Sequence, residues 1–312
     1  MPHNNTSRAL LAVMALLLPL SACGQSAADK SSDSGKDTLV FAAVPAETST
    51  SLKSTFEPLV KLLEKETGNK VEFQDATDYA AVIEGQRAGK IDIASYGPFS
   101  YKIAKDGGVP ITPAVAPVNT KGDKPNYTSL AYVKKGSAIR SLDDVRGKKV
   151  CFVEAASTSG YLVPLEALLS KKIDPKTGIK PIYAGAHDAS LLSVNSGQCD
   201  VGFAHDAMLT TLTGKKQIAD GALTPIWESE PIPEDPIAIN TKTVDAETVT
   251  KITTALQTKA NKPALVEAGI CASEKECVLP EEIGYGYVAV TDADYDPIRK
   301  ICEVTKAEAC NG

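Results

Sequence analysis

The sequence predicts an α/β protein with two lobes, each a mostly parallel sheet flanked by helices. Short apolar runs typical of strands alternate with amphipathic helical patterns along most of the chain, as in parallel α/β sheets. Two polar, turn-rich stretches interrupt the alternation, as expected where a chain passes from one lobe to another. A length of 312 residues is sufficient for two domains of ordinary size.

The first group of elements combines short apolar runs with helices whose apolar residues recur at a spacing of three to four. In the first of these helices, Phe56, Leu59 and Leu63 lie on one face. The pattern predicts strands over 38–44, 71–73, 91–95 and 111–118, and helices over 51–67, 79–88 and 98–105.

A second group continues the same alternation. Leu162, Leu165 and Leu168 mark the apolar face of one of its helices, and its strands are apolar runs bounded by turn residues. The pattern predicts strands over 130–133, 149–153, 180–183, 200–203 and 223–227, a Leu-rich helix after residue 160 and a helix over 189–196.

The two interruptions predict where the chain changes lobe. The stretch 121–126 is polar and rich in turn residues, and the stretch 228–236 contains three prolines. If both cross between lobes, residues 37–125 and 237–312 form one lobe and residues 126–236 form the other. Two crossovers make a hinge, and a ligand would bind in the cleft between the lobes.

The N-terminus has the features of an export signal. Arg8 is the only strongly basic residue of the segment 1–22, and the apolar run that follows is too short to span a bilayer comfortably. Leu20-Ser21-Ala22-Cys23-Gly24 resembles a bacterial lipobox, which implies that Cys23 is lipidated and becomes the mature N-terminus. Cleavage without lipid is the alternative. Residues 23–36 read as a flexible tether, so we expect an exported protein that is lipid-anchored to the outer face of the cell membrane.

The remaining cysteines form an even set, which in an exported protein suggests disulfides: Cys151, Cys199, Cys271, Cys277, Cys302 and Cys310. Their spacing does not resemble a zinc ribbon or a redox Cys-x-x-Cys motif. Short separations favour pairing within 271–277 and within 302–310, which would leave the first two cysteines for each other. Six cysteines allow 15 pairings, and the sequence leaves the choice open.

Composition excludes several classes of function. The formal net charge of −6 argues against a nucleic-acid partner, which requires concentrated positive charge. After removal of the signal peptide only His187 and His205 remain, so a histidine-rich metal site is excluded. We expect neither a metal nor a cofactor.

The run Ser157-Thr158-Ser159-Gly160-Tyr161 is the strongest local indication of a binding site. It follows a buried strand and precedes the Leu-rich helix, whose first turn contains Pro164. Hydroxyls and unpaired backbone N–H groups would cluster at the helix N-terminus, where the helix dipole also favours an anion. An ordinary Ser/Thr helix cap is the alternative interpretation.

Other polar residues follow neighbouring strands. His187 and Asp206 come after the strands predicted over 180–183 and 200–203, and ligands of open α/β sheets bind beyond the carboxyl ends of strands. Ser157, His187 and Asp206 are also the residue types of a hydrolase triad. The sequence contains no Gly-x-Ser-x-Gly motif around the serine, so we expect binding rather than catalysis.

Several blocks, in the same order and spread over most of the mature chain, carry a specific resemblance. They are Asp78-Tyr79-Ala80, Ile91-Asp92-Ile93-Ala94 with Tyr96-Gly97, Ser157 through Pro164, Ala184-Gly185-Ala186-His187, and Trp227 with Ile232-Pro233-Glu234-Asp235-Pro236. The set resembles solute-binding lipoproteins of ABC importers for phosphonate, phosphite and phosphate. The resemblance implies the two-lobed periplasmic-binding-protein fold, a monomer without catalytic activity, and delivery of the ligand to a membrane permease driven by an ATPase.

The resemblance also implies roles for individual residues. Those that would hold the phosphorus oxyanion have polar side chains: Ser157, Thr158, Ser159, Tyr79, Tyr127 and His187. Asp235 would face the other end of the ligand, where its carboxylate must accept a proton from P–OH or from an ammonium group. Asp206 and Tyr96 are looser matches, and contact of His205 and Glu47 with the ligand is left open.

The ligand itself is not determined by the sequence. Phosphite, methylphosphonate, aminoethylphosphonate and phosphate differ only in the substituent on phosphorus, and we favour a phosphonate or phosphite over phosphate. The alternative is the same fold with a sulfonate, another organic anion or a metal ion.

Overall fold

The computed structural model describes residues 36–47 and 52–311, apart from the side chain of Glu282. The expectations about the signal peptide, Cys23 and nearly all of the tether lie outside the described residues. Within the described ranges, no helix combines the length and the apolar character needed to cross a membrane.

The strands follow the predicted alternation closely and continue it toward the C-terminus. They are β1 (Thr38–Ala43), β2 (Lys70–Gln74), β3 (Ile93–Ser95), β4 (Ile111–Val118), β5 (Asn126–Tyr127), β6 (Ser129–Lys134), β7 (Lys149–Phe152), β8 (Lys180–Tyr183), β9 (Val201–His205), β10 (Leu223–Glu228), β11 (Ile232–Pro233), β12 (Ile237–Asn240) and β13 (Gly286–Ala289).

These strands form two sheets. The first has the strand order β13-β4-β12-β3-β1-β2, and the second has the order β10-β6-β9-β7-β8. The short strands β5 and β11 form a separate two-stranded pair. The first sheet takes its strands from the chain before β5 and after β11, and the second takes them from the chain between these two. The α/β fold class is thus confirmed, whereas the residue boundaries of the lobes stay a prediction.

The predicted fold class is confirmed, and both sheets are mixed in detail: most strands of each sheet share one direction, and a minority run against them. β1 pairs parallel with β2 and β3, and β7 pairs parallel with β8 and β9. The other pairs in the two sheets are antiparallel. The reason is that β6 and β12 enter their sheets directly from the other sheet. A parallel strand needs a crossover connection, usually a helix, before it enters the sheet, and no helix precedes β6 or β12 in this way. These two strands therefore run antiparallel to the strands of the β–α–β units.

Helices cover the sheets. They are α1 (Leu52–Thr67), α2 (Tyr79–Arg87), α3 (Pro98–Asp106), α4 (Val163–Ser170), α5 (Pro175–Gly178), α6 (His187–Ser196), α7 (Met208–Gly214), α8 (Ala246–Lys259), α9 (Lys262–Glu267) and α10 (Asp296–Thr305). Shorter 3₁₀ turns cover Leu142–Val145, Pro280–Glu282, Asp292–Tyr295 and Glu308–Asn311, and a π-helical turn covers Thr158–Leu162.

The apolar face predicted for the first helix is confirmed. Phe56, Leu59 and Leu63 of α1 are buried, together with Leu62. The ring of Phe56 meets Phe41 of β1 edge-on, with a centroid distance of 5.3 Å. Full burial of such a side chain contributes about 1.5–3 kcal/mol, so this face holds α1 against the first sheet.

Three disulfide bonds settle the pairing that the sequence left open. They join Cys151 to Cys199, Cys271 to Cys277, and Cys302 to Cys310. The first connects β7 with the residues before β9. The third ties α10, which packs against α4 of the second group, to the C-terminal turn.

Candidate functional site

The hydroxyl run lies at a helix N-terminus, as the sequence predicted. Ser157 precedes the π-helical turn, which continues directly into α4, and its Oγ accepts a hydrogen bond from the N–H of Gly160 at 3.1 Å. Ser157, Thr158 and Ser159 are all buried. A Cβ atom on Gly160 would lie 2.3 Å from Cγ2 of Val153, so only glycine lets this turn approach the end of the strand so closely.

Thr158 also contacts the N-terminus of α3. Its Oγ1 accepts a hydrogen bond from the N–H of Phe99 at 2.9 Å. A Cβ atom on Gly97 would lie 3.3 Å from this Oγ1 and 4.0 Å from Oδ1 of Asp235. Gly97 therefore keeps open the narrow space between the hydroxyl of Thr158 and the carboxyl of Asp235.

His187 is held as a neutral hydrogen-bond donor. Its Nδ1 accepts a hydrogen bond from the backbone N–H of His205 at 3.1 Å, so in the neutral ring the proton is on Nε2. That Nε2 lies 3.5 Å from Oγ of Ser157. Burial, assisted by the nearby His205, lowers the pKa of His187 well below its usual value. The ring can therefore donate toward the hydroxyl run without carrying a charge.

Two tyrosine hydroxyls complete the donor group. Burial is the main cause that raises the pKa of Tyr79 and Tyr127, and the charge of Asp235 adds to it in both cases. A hydrogen bond with the hydroxyl of Ser157 lowers the pKa of Tyr79, and a hydrogen bond with Ser159 lowers the pKa of Tyr127. Both phenols therefore keep their protons at neutral pH and can donate them.

Acidic side chains lie close to the donors. Burial and the charges of Glu281 and Glu234 raise the pKa of Asp235 well above its usual range. Burial and the charge of Glu281 do the same for Glu234, whose Oε2 accepts from the backbone N–H of Asp235 at 3.3 Å. Their pKa values are raised because burial and neighbouring acids both disfavour the charged form, and no lysine or arginine lines the cavity to offset this.

These groups surround one small cavity of about 10 Å³. The residues that line it are Ala46, Tyr79, Gly97, Tyr127, Ser157, Thr158, Ser159, His187, His205, Asp235 and Glu281. No lysine or arginine is among them. Four helices begin at its wall, namely α2, α3, α6 and the turn that leads into α4, so their N-terminal N–H groups supply positive potential instead.

The structure brings seven of the nine predicted ligand-binding residues to this cavity and leaves two elsewhere. Tyr96 is fully buried, and its hydroxyl donates to Oε1 of Gln86 at 2.7 Å, away from the cavity. Asp206 is exposed and lines a neighbouring cavity of about 30 Å³, where its Oδ2 accepts from the N–H of Thr128 at 3.0 Å.

Two residues with titratable side chains line the cavity although they were not among the predicted ligand-binding residues. His205 is the last residue of β9, so its position at the carboxyl end of a strand could have indicated it. Glu281 lies in the 3₁₀ turn Pro280–Glu282, far from every motif, and nothing in the local sequence indicates its position. In the part of the chain that the structure describes, no group of His, Cys, Asp and Glu side chains is arranged to hold a metal ion.

Contacts across the cavity join elements of the two sheets. The backbone N–H of His187 donates to the carbonyl oxygen of Ala46 at 3.0 Å. Lys215, at the end of α7, forms an ion pair with Glu47, which follows β1. The cavity is therefore enclosed between the two groups of elements.

A model of the family described as "ABC transporter, phosphonate, periplasmic substrate-binding protein" matches residues 41–295. The chain belongs to this family. It is accordingly an extracytoplasmic substrate-binding component of an ABC importer and not an enzyme, as the sequence predicted.

Curated relatives carry related names. The phosphate-import protein PhnD of Mycolicibacterium smegmatis is 40% identical over 285 residues, which cover 88% of each chain. The phosphonates-binding periplasmic protein of Escherichia coli is 32% identical over 205 residues, which cover 64% of this chain and 60% of that protein.

Solved structures share the fold. A binding-protein component of a phosphonate ABC transporter from Pseudomonas aeruginosa has a TM-score of 0.75 at 28% identity and covers 86% of each chain. PhnD1 of Prochlorococcus marinus, in complex with methylphosphonate, has a TM-score of 0.72 at 18% identity and covers 87% of this chain and 99% of that one.

Proposed function

We propose that this protein captures a small phosphorus oxyanion, a phosphonate, phosphite or phosphate, in the cavity and delivers it to a membrane permease driven by an ATPase. The observation that carries the proposal is a buried set of uncharged donors at converging helix N-termini, without any lysine or arginine. The names of the M. smegmatis and E. coli relatives, which refer to phosphate and phosphonates, support it.

The donors suit an anion that must be released again. Ser157, Thr158 and Ser159 can each donate a hydroxyl proton to an anionic oxygen, and His187 can add its Nε2–H. Hydrogen bonds to charged groups contribute about 1.5–3 kcal/mol each. Uncharged donors provide this without the strong attraction of a lysine, which leaves transfer to the permease possible.

Asp235 supplies the selectivity. The carboxylate of Asp235 can face an anion only if the ligand supplies a proton that lies between them. Phosphorus oxyanions carry such a proton near neutral pH, whereas sulfate and sulfonates do not.

Isothermal titration calorimetry on the purified mature protein tests the proposal. The panel contains phosphate, phosphite, methylphosphonate and 2-aminoethylphosphonate, with sulfate and methanesulfonate as controls of similar shape that lack the proton. We expect at least one phosphorus ligand to bind at least 100-fold more tightly than either control, about 2.7 kcal/mol. Equal binding of sulfate, or no binding of any phosphorus ligand, would reject the proposal.

We further propose that residues 37–125 and 237–312 form one lobe and residues 126–236 the other, with the β5 and β11 segments as the hinge. The division of strands between the two sheets supports these boundaries. Small-angle X-ray scattering should show a smaller radius of gyration on ligand addition, and an unchanged profile would argue against hinge closure.

We also propose that residues 1–22 are a signal peptide and that lipidated Cys23 anchors the protein by the tether. The lipobox-like residues around Cys23 support this. The wild-type protein should partition into the detergent phase of a Triton X-114 extract, and a Cys23→Ser variant should move to the aqueous phase. Identical partitioning of the two proteins would contradict the anchor.

A further inference from the structure

Glu281 has an unusual backbone conformation for its residue type. Its φ of 52° and ψ of 29° place it in the left-handed region, which non-glycine residues rarely occupy. The turn that contains it follows the loop closed by Cys271 and Cys277. A strained residue of this kind persists where the surrounding structure needs its side chain in one place.

The side chain of Glu281 lies at the junction of three small cavities. It lines the cavity with the hydroxyl run, a second one of about 20 Å³ that Asp235 also lines, and a third that Glu234 and Asp206 line. Two acidic residues, Asp235 and Glu281, therefore line the first cavity together with the hydroxyls. They come from chain segments more than forty residues apart.

His205 gives an independent indication that a ligand belongs beside these carboxyls. It is 4% exposed, and its Nε2 has no hydrogen-bond partner among the described residues. His205 lines two of the three cavities that Glu281 lines. The pKa of Glu281 is raised by burial and by Glu47 and Asp206, and His205 acts against this shift. A buried nitrogen without a partner next to a buried acid is costly unless a ligand oxygen completes the site.

The number of carboxyls bears on which phosphorus acid fits. Phosphate has four oxygens, so two can bind the hydroxyl side while the other two each share a proton with one carboxyl. Methylphosphonate and phosphite have three oxygens, and their methyl group or hydrogen on phosphorus would leave one carboxyl without a partner.

We propose that Glu281 is a specificity-determining residue that, with Asp235, provides a second carboxyl partner and makes the cleft select inorganic phosphate over methylphosphonate and phosphite. This inference rests on the proposed function of the same cavity. It narrows the ligand class to inorganic phosphate, which can place one P–O(H) group against each of the two carboxyls.

Two substitutions test the role of Glu281. Glu281→Gly removes the carboxyl and suits the positive φ, so the fold is retained. Glu281→Gln keeps the volume and one acceptor oxygen. Glu274→Gln, an exposed acid of the preceding loop, is the matched control. Each protein is titrated calorimetrically with phosphate, phosphite and methylphosphonate, and the ratio of the dissociation constants is compared.

We expect the wild-type protein to bind phosphate at least tenfold more tightly than the other two ligands. Glu281→Gly should weaken phosphate binding at least tenfold, about 1.4 kcal/mol, and change methylphosphonate binding less than threefold. The affinity of Glu281→Gln for phosphate should lie between those of Glu281→Gly and the wild type. A merely structural role would weaken all ligands alike.

The inference is overturned if Glu281→Gly leaves the ratio unchanged, or if the wild type prefers methylphosphonate or phosphite. In both cases the proposed function stands, since a phosphorus oxyanion is still bound. Binding of 2-aminoethylphosphonate but of none of these three would likewise overturn only the inference, whereas absence of binding to all four phosphorus ligands would remove the proposed function and this inference with it.

Discussion

Replacement of Thr158 by valine tests the hydroxyl run most directly. Valine has nearly the same shape as threonine but no hydroxyl. In the structure, Oγ1 of Thr158 accepts from the N–H of Phe99 at 2.9 Å, which leaves its proton for a ligand oxygen. Thr158→Val therefore removes one donor to the anion and also leaves a buried N–H group without a partner.

Both losses can be given a magnitude. A hydrogen bond to a charged group contributes about 1.5–3 kcal/mol, and a buried unsatisfied N–H costs about 1–3 kcal/mol. Phe99 belongs to the elements of the first sheet and Thr158 to those of the second. The cost of the unsatisfied N–H therefore destabilises the closed state, in which the two groups of elements enclose the ligand. We expect affinity to fall at least about 50-fold.

Calorimetric titration with the tightest-binding phosphorus ligand measures this effect. Thr158→Ser keeps the hydroxyl and should bind within about tenfold of the wild type, and the melting temperatures of both variants report whether the fold is intact. A folded Thr158→Val protein that binds within threefold of the wild type would refute the reasoning.

Three further perturbations have defined outcomes. Burial and nearby acids raise the pKa of Asp235, so its contribution to stability is complete below its ordinary value of 3.8 and is lost as pH rises through the raised pKa. In Asp235→Asn the melting temperature without ligand should therefore decline less between about pH 4 and pH 8, and equal slopes would count against the shift. The ion pair of Lys215 with Glu47 is partly exposed and contributes about 0.2–1 kcal/mol. Lys215→Ala should speed ligand dissociation up to about fivefold in stopped-flow measurements at low salt and have no effect at about 1 M salt; a salt-independent change would contradict this. Joint replacement of Cys302 and Cys310 by serine opens a loop with a sequence separation of 8 and should destabilise by about 2–3 kcal/mol in a denaturant titration, whereas an unchanged midpoint would show that the bond contributes nothing.

Much of the fold could be predicted from local patterns. The helix predicted over 51–67 and the strand over 111–118 agree with α1 and β4 to within a residue, because spacing of apolar residues reports directly which face is buried. The opposing direction of β6 and β12 was not predictable in this way. β6 and β12 run antiparallel because each follows a short strand, β5 or β11, rather than a helix. The residues within β6 and β12 do not indicate this direction.

The residues of the candidate site also divide into those that the local sequence indicated and those that only the tertiary structure placed. The hydroxyl run was recognisable because all its groups are adjacent in sequence and begin one helix. Tyr96 matched the family pattern by position, yet its hydroxyl meets Gln86, a residue of another element, and so points into the core. Glu281 reaches the cavity only because the loop before β13 folds back over the end of the first sheet.

By itself the sequence determined the alternation of strands and helices, the hydroxyl cluster at a helix start, and the acidic residue in the second crossover. Each of these depends on residues within a few positions of one another. Only the tertiary structure decided that a second acidic residue, Glu281, lines the same cavity as Asp235, and that His187 donates through Nε2. The physical reason is that burial, pKa and tautomer depend on groups that the fold brings together from distant parts of the chain.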